Sequence, residues 1–125
     1  GVQTCALPIS EVVHGIPGKK VLKEGDIVSL DLGLNYEGVF LDHATTVAVG
    51  EVSAKNKKLM GATKEALDAG IEAIAPGARL GDIGYAIESV ARRNNLGIVF
   101  GFSGHGVGRA GRESAQPLRP RAAEC

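Results

Sequence analysis

Apolar and polar residues alternate along residues 28–34, and this period of two predicts a β-strand with one apolar face. The apolar positions are Val28, Leu30, Leu32 and Leu34, and the positions on the opposite face are Ser29, Asp31 and Gly33. Polar residues that favour a turn follow at 35–38, and a second strand-like run extends to Val47. The stretch from Asp26 to Val47 is therefore predicted to form a β-hairpin.

The turn predicts how the two strands pair. If the hairpin folds about residues 35–38, Asn35 pairs with Gly38, and counting outward places Asp31 directly opposite Asp42. Side chains in such positions have Cβ atoms roughly 4.5–5.5 Å apart, and two like charges there repel each other. A divalent cation between the carboxylates would remove the repulsion. There are two alternatives to a bound cation. One Asp could be protonated and hydrogen-bonded to the other, or the strands could pair one residue out of this register, which would turn one acid to solvent.

Two helices are predicted after the hairpin. Ser53 is placed to cap the first, and residues at helical spacing form one stripe along it: Leu59, Thr63, Leu67, Ile71 and Ile74. Pro76 and Gly77 end this helix. The second begins at about Asp82, with Ile83, Ile87, Val90 and Ala91 inward and with Arg92 and Arg93 in its last turn. The apolar run at 98–102 is predicted to be a short strand.

Composition narrows the class of protein. With 125 residues and 44% hydrophobic content, the chain is one domain or a part of one. Lys and Arg number 14 and so do Asp and Glu, so no nucleic-acid partner is expected. Cys5 and Cys125 lie at the two ends and form no disulfide framework, which favours the reducing cytoplasm. No apolar run approaches the roughly 20 residues that span a bilayer, so no membrane association is expected.

The two ends differ in character from the segment between them. Residues 1–9, GVQTCALPI, are similar to the translation of a common sequencing adapter, and we interpret them as a non-native leader. Residues 114–125 lack hydrophobic periodicity, and we interpret them as a non-native or disordered tail, with a basic nucleic-acid-binding arm as the weaker alternative. The domain is expected within 10–113.

Two of the three histidines are candidates for chemistry. His14 and His105 each follow an apolar run and precede a glycine, where site residues are often displayed. His105 lies between Gly104 and Gly106, which would let the backbone approach a ligand closely, although a histidine in such a turn is more often a structural hydrogen-bonding group. His43 alternates away from Asp42 and is not expected to bind a metal.

Four features occur in a fixed order: VVHGIPG at 12–18, DIVSLDLG at 26–33, an Asp eleven residues after Asp31, and GHGVGR at 104–109. Together they resemble the type I methionine aminopeptidases, from about Ser10 to Gly108. The resemblance implies a pita-bread fold of the α/β (α+β) class, in which helices cover an antiparallel sheet, and of which this truncated chain holds mostly the first half.

The resemblance also implies a site and an activity. Asp31, Asp42 and His105 would bind two divalent metal ions, with Asp42 bridging them, and the metal would be Co, Mn, Fe or Zn. His14 would be a catalytic residue that contacts the substrate near the scissile peptide. The reaction would be hydrolytic removal of the initiator Met from nascent polypeptides, possibly at the ribosome, by a monomeric metalloprotease of the hydrolase class.

The chain departs from the family pattern in three ways. Arg112 stands where the family has a second catalytic His, and a permanently charged guanidinium cannot replace a neutral imidazole. The two glutamate ligands of the family lie downstream, and Glu113 and Glu124 do not match their motifs. The segment that helps to form the methionine pocket is missing ahead of Ser10. We therefore expect this chain by itself to be inactive.

Two other functions stay open at this point. A non-enzymatic pita-bread protein that only binds a partner would be expected to lose metal ligands, whereas Asp31, Asp42 and His105 are retained. A relative that cleaves Xaa-Pro bonds would share the ligands and differ in its substrate.

Overall fold

The computed structural model describes residues 2–8, 15–102, 104–109 and 111–113, with side chains for 15–102 and 104–109. Within that part the elements are β1 Val2–Pro8, β2 Ile27–Tyr36, β3 Val39–Ala48, α1 Ala54–Glu72, α2 Leu80–Arg93, β4 Gly106–Gly108 and β5 Gly111–Glu113. They belong to two compact units, a sheet unit with the strands and a helix unit with α2 and most of α1. The boundaries fall after Lys57 and after His105.

A two-residue turn joins β2 to β3. Glu37 and Gly38 have φ angles of 49° and 81°, and positive φ at both central residues is typical of a type I′ turn. Tyr36 consequently pairs with Val39, and Asn35 pairs with Phe40. The predicted pairing of Asn35 with Gly38 is wrong, because the two-residue turn is centred on Glu37 and Gly38, one residue later than predicted.

The register of the hairpin therefore differs from the prediction by two residues. Asp31 lies opposite Ala44, and Asp42 lies opposite Gly33, so the two acids do not face each other directly. A shift of two residues leaves every side chain on its predicted face, whereas a shift of one would have reversed the faces. Asp31 and Asp42 thus share a face, as predicted, although their direct opposition is wrong.

The base of the hairpin is fixed by buried side chains and by hydrogen bonds. Ile27 and Val28 are each 2% exposed. The Gly25 amide donates to the Val49 carbonyl at 2.9 Å, and the Val49 amide donates to the Asp26 carbonyl at 2.9 Å. These contacts anchor the end of the hairpin that lies away from its turn.

The remaining strands lie on either side of the hairpin. β1 pairs antiparallel with β2, so the sheet order is β1-β2-β3. Strand β1 falls within residues 1–9, which we interpreted above as a non-native leader, and that interpretation stays a prediction. β4 pairs with β5, placing Val107 opposite Arg112, and β4 also lies against β3.

The predicted strand at 98–102 is wrong. The chain turns at Phe100 and Gly101, where Gly101 has a φ of 92°, a value outside the extended region. Val99 and Phe100 are 68% and 79% exposed. Regular strand structure begins only at Gly106.

Helix α1 begins where the sequence predicts. The Asn56 amide donates to Ser53 Oγ at 3.2 Å, which confirms Ser53 as the N-cap. Its buried face consists of Ala62, Ala66 and Gly70. The predicted stripe lies elsewhere, since Leu67, Ile71 and Ile74 are 58%, 56% and 65% exposed. Small residues form the buried face because α2 approaches closely: a Cβ at Gly70 would lie 3.0 Å from Ile87 Cγ1.

Helix α2 begins two residues before the predicted Asp82, whose carboxylate accepts a hydrogen bond from the Arg79 amide at 2.9 Å. The predicted inward face is confirmed, with Val90 and Ala91 buried and with Ile83 and Ile87 half-buried. Asn95 has a φ of 55°, and the Leu96 amide donates to the Ala91 carbonyl at 2.9 Å. These are the features of a Schellman motif that ends the helix.

An ion pair joins the two helices at the last turn of α2. Arg93 Nη2 donates to Glu65 Oε1 at 2.6 Å, and Asn94 Nδ2 donates to Glu65 Oε2 at 3.3 Å. The hydrogen bond from Arg93 is the main reason that the pKa of Glu65 is lowered. No helix in the described residues is both long and apolar enough to cross a bilayer.

Candidate metal site

Four residues of the β2–β3 ladder form a square on one face of the hairpin, which we call the acidic square: Asp31, Gly33, Asp42 and Ala44. The ladder pairs Asp31 with Ala44 and Gly33 with Asp42. The two carboxylates therefore occupy one diagonal of the square, and Gly33 and Ala44 occupy the other. Diagonal neighbours in such a ladder lie roughly 7–8 Å apart, with Cβ atoms somewhat closer, which is within reach of a shared ligand.

The centre of the acidic square is open. Within the described part of the chain, a Cβ at Gly33 would meet no heavy atom within 4 Å. Asp31 is half-buried and Asp42 is exposed, so the square lies at the surface of the sheet unit. A glycine inside a strand often marks a place where a ligand approaches closely. Two carboxylates beside such an opening provide the oxygen ligands that divalent cations prefer, so the residues present fit a metal ion.

The rows that flank the acidic square are uncharged. On one side Ser29 and Thr46 pair, with their hydroxyl oxygens 2.9 Å apart, and on the other side Asn35 pairs with Phe40. The Ser29–Thr46 hydrogen bond ties the two strands together one row from Asp31. On this face of the hairpin, the negative charge is concentrated in the acidic square.

His43 lies on the other face of β3, opposite Leu32. Its side chain alternates away from Asp42, as the sequence predicts, and it is not part of the acidic square.

The other predicted site residues lie outside the hairpin. His105 is exposed and directly precedes β4, the strand that lies against β3. His14 lies outside the described residues, so its predicted role stays a prediction. No group of three or more His, Cys, Asp or Glu side chains in the described part of the chain has a metal-binding arrangement. The structure therefore brings together Asp31 and Asp42, and the assignment of His105 as a third ligand stays a prediction.

Sequence reasoning missed Gly33 and Ala44 as the other corners of the square. The signal that could have found them is the dipeptide Glu37-Gly38. Two-residue hairpin turns of type I′ favour glycine at the second central position, because both central residues have positive φ. A turn centred there gives the observed pairing.

Comparisons with known proteins show which family and which solved structures the chain resembles. The profile of metallopeptidase family M24 matches residues 2–124. The methionine aminopeptidase of Rickettsia prowazekii is 47% identical over 98 residues, covering 78% of this chain and 38% of that protein. The crystal structure of methionine aminopeptidase from Thermotoga maritima superposes with a TM-score of 0.87 at 40% identity, covering 96% of this chain and 49% of that one.

A more distant structure shares the fold. The Xaa-Pro dipeptidase from Bacillus anthracis has a TM-score of 0.79 at 30% identity, and the match covers 96% of this chain and 34% of that one. The chain thus spans less than half of each of these proteins. The predicted pita-bread fold, with helices and an antiparallel sheet, is confirmed for the part that the chain covers.

Proposed function

The chain belongs to metallopeptidase family M24, and we propose that the whole protein removes the N-terminal methionine from polypeptides by metal-dependent hydrolysis. The substrate is a peptide with a free amino terminus, which a nascent protein presents as it leaves the ribosome. We further propose that the enzyme is monomeric and cytoplasmic; the two isolated cysteines at the ends of the chain are in line with the cytoplasm.

The observation that carries the proposal is the diagonal of Asp31 and Asp42 on one face of the hairpin. A protein that used this fold only to bind a partner would have no need to keep two acids beside an open glycine. The 47% identity to a methionine aminopeptidase supports the same activity.

The residues that would hold two divalent ions are Asp31, Asp42 and His105. When bound, such ions activate a water molecule and stabilise negative charge on a peptide oxygen. Asp31 and Asp42 hold their carboxylates in place because the paired strands restrict both backbones. His14 is proposed to orient the substrate beside the scissile peptide. Mn, Fe, Co and Zn are all chemically acceptable to carboxylate and imidazole ligands.

The 125-residue chain itself is proposed to be inactive. Its three proposed ligands leave out the two glutamates that the family resemblance implies, and Arg112 occupies the position of a catalytic histidine. Activity is therefore a property proposed for the whole protein.

The second candidate is cleavage of Xaa-Pro bonds. The structure of an Xaa-Pro dipeptidase matches at 30% identity, against 40% for a methionine aminopeptidase structure. The higher identity favours methionine removal.

The test is release of methionine by the whole protein from a Met-Ala-Ser peptide with Mn²⁺, beside a Xaa-Pro peptide of equal length. We expect release from Met-Ala-Ser and loss of turnover after chelation. Cleavage of the Xaa-Pro peptide alone would favour the second candidate, and turnover that survives chelation would contradict both.

A further inference from the structure

We infer that Gly33 and Ala44 are positioning residues, whose small size keeps the centre of the acidic square open to metal ions. The inference rests on the proposed metal site of Asp31 and Asp42. It adds two residues to that site and gives each a steric role that can be tested separately from the ligands.

The first step is the geometry of the square. Asp31 and Asp42 are diagonal neighbours in the ladder, so neither carboxylate reaches the other along a row. Both must lean toward the centre of the square to share one ion. The remaining corners, Gly33 and Ala44, determine whether that centre is filled by protein atoms.

The second step is the identity of those corners. Strands favour β-branched and aromatic residues, and glycine weakens a strand. The pairing rows beside the square carry larger side chains, Ser29 with Thr46 and Asn35 with Phe40. The two smallest residue types occur together on the diagonal that crosses the two acids. Strand stability does not explain this choice, because a larger residue at either corner would favour the strand.

The third step is the available space. Among the residues that the structure describes, none has a heavy atom within 4 Å of a Cβ at Gly33, and the φ of Gly33 lies outside the positive range. Backbone strain and contact with protein atoms therefore do not require glycine at this position. What a side chain at Gly33 would occupy is the opening between the two carboxylates.

The test uses the whole protein and measures Mn²⁺ binding by calorimetry and by electron paramagnetic resonance. Ala44→Val and Gly33→Val are expected to weaken Mn²⁺ binding by about 10–100-fold, the range typical of residues that position metal ligands. Ala48→Val is the matched control, because Ala48 is on the same strand and the same face, two rows from the square, opposite Ile27. It is expected to leave the affinity unchanged.

A second comparison separates space from strand stability. Valine favours a strand and glycine disfavours it, so Ala44→Val should raise the thermal unfolding temperature of the metal-free chain and Ala44→Gly should lower it. If space governs metal binding, Ala44→Gly retains affinity and Ala44→Val loses it, so that binding and stability move in opposite directions. If the affinity instead follows stability, the inference is wrong.

The remaining outcomes distinguish this inference from the proposed function. Wild-type affinity in both valine variants, with loss of binding in Asp31→Asn and Asp42→Asn, would overturn the role of Gly33 and Ala44 and leave the metal site intact. Absence of Mn²⁺ binding by the unsubstituted whole protein would overturn the proposed metal site, and this inference with it.

Discussion

Asp42 lies opposite Gly33 in the β2–β3 ladder, one row from Asp31 and on the same face. This relationship places two carboxylates beside Gly33, where a Cβ would meet no heavy atom of the described residues within 4 Å. The proposed chemistry depends on it, because a metal ion needs both oxygen ligands and room between them.

Asp42 and His43 are adjacent in sequence and lie on opposite faces of β3. In the whole protein, Asp42→Asn should therefore reduce methionine release far more than His43→Ala does. Residues that only support a metal ligand typically change activity by about 10–100-fold when mutated. We expect Asp42→Asn to lose more activity than that. The measurement is kcat/KM for a Met-Ala peptide together with bound metal. Equal losses in the two variants would contradict the assignment of faces.

The turn at Glu37 and Gly38 sets the register and should respond to substitution accordingly. A left-handed backbone costs most residues roughly 1–2 kcal/mol, and Asn and Gly tolerate it best. Glu37→Asn should stabilise the chain by up to about 1 kcal/mol, and Gly38→Ala should destabilise it by about 1–2 kcal/mol. Urea denaturation measures both. Stabilisation by Gly38→Ala would contradict the type I′ turn, for which φ is 81° at Gly38.

Gly61 and Gly70 lie in the same helix and differ in what surrounds them. A Cβ at Gly61 meets nothing within 4 Å, whereas a Cβ at Gly70 meets Ile87 Cγ1 at 3.0 Å. Gly61→Ala should stabilise α1 by about 0.5–1 kcal/mol through helix propensity. Gly70→Ala should stabilise the helix less than Gly61→Ala does, or should destabilise it, because the Ile87 side chain must shift to make room for the new methyl group. Equal stabilisation in thermal denaturation would contradict the close packing of the two helices.

The Glu65–Arg93 pair should make stability depend on pH. Because the pKa of Glu65 is lowered in the folded chain, its contribution is fully present above the ordinary carboxyl pKa and is lost as the pH falls through the lowered value. Glu65→Gln should therefore be less stable than the wild type at neutral pH. The difference should shrink once the pH drops below about 4.3, the ordinary pKa of Glu. Free energies of unfolding measured across that interval test this, and a constant difference would contradict the pair.

The exposed side chains of α1 predict self-association of the isolated chain. Leu67 and Ile71 are 58% and 56% exposed, and apolar patches at a surface promote association. Light scattering should show a mass above 12.9 kDa for the chain. Leu67→Lys combined with Ile71→Lys should lower that mass, and Ala54→Lys, at an exposed position of α1 outside that stripe, should not. A monomer in the unsubstituted chain would contradict the prediction.

The faces of the hairpin were predictable from sequence because a period of two assigns them without knowledge of the pairing. The register was not, because it depends on the positive φ of Glu37, which hydrophobic alternation does not encode. The inward face of α2 was predictable from its spacing. The buried face of α1 was missed because Ala62, Ala66 and Gly70 pack by being small, while Leu67 and Ile71 stay exposed.

The most direct measurement is an anomalous diffraction map of the whole protein crystallised with Mn²⁺. The account predicts a manganese peak within coordinating distance of carboxylate oxygens from both Asp31 and Asp42, above the opening at Gly33. A peak bound by other residues, or a structure at saturating Mn²⁺ in which neither carboxylate contacts the metal, would contradict it.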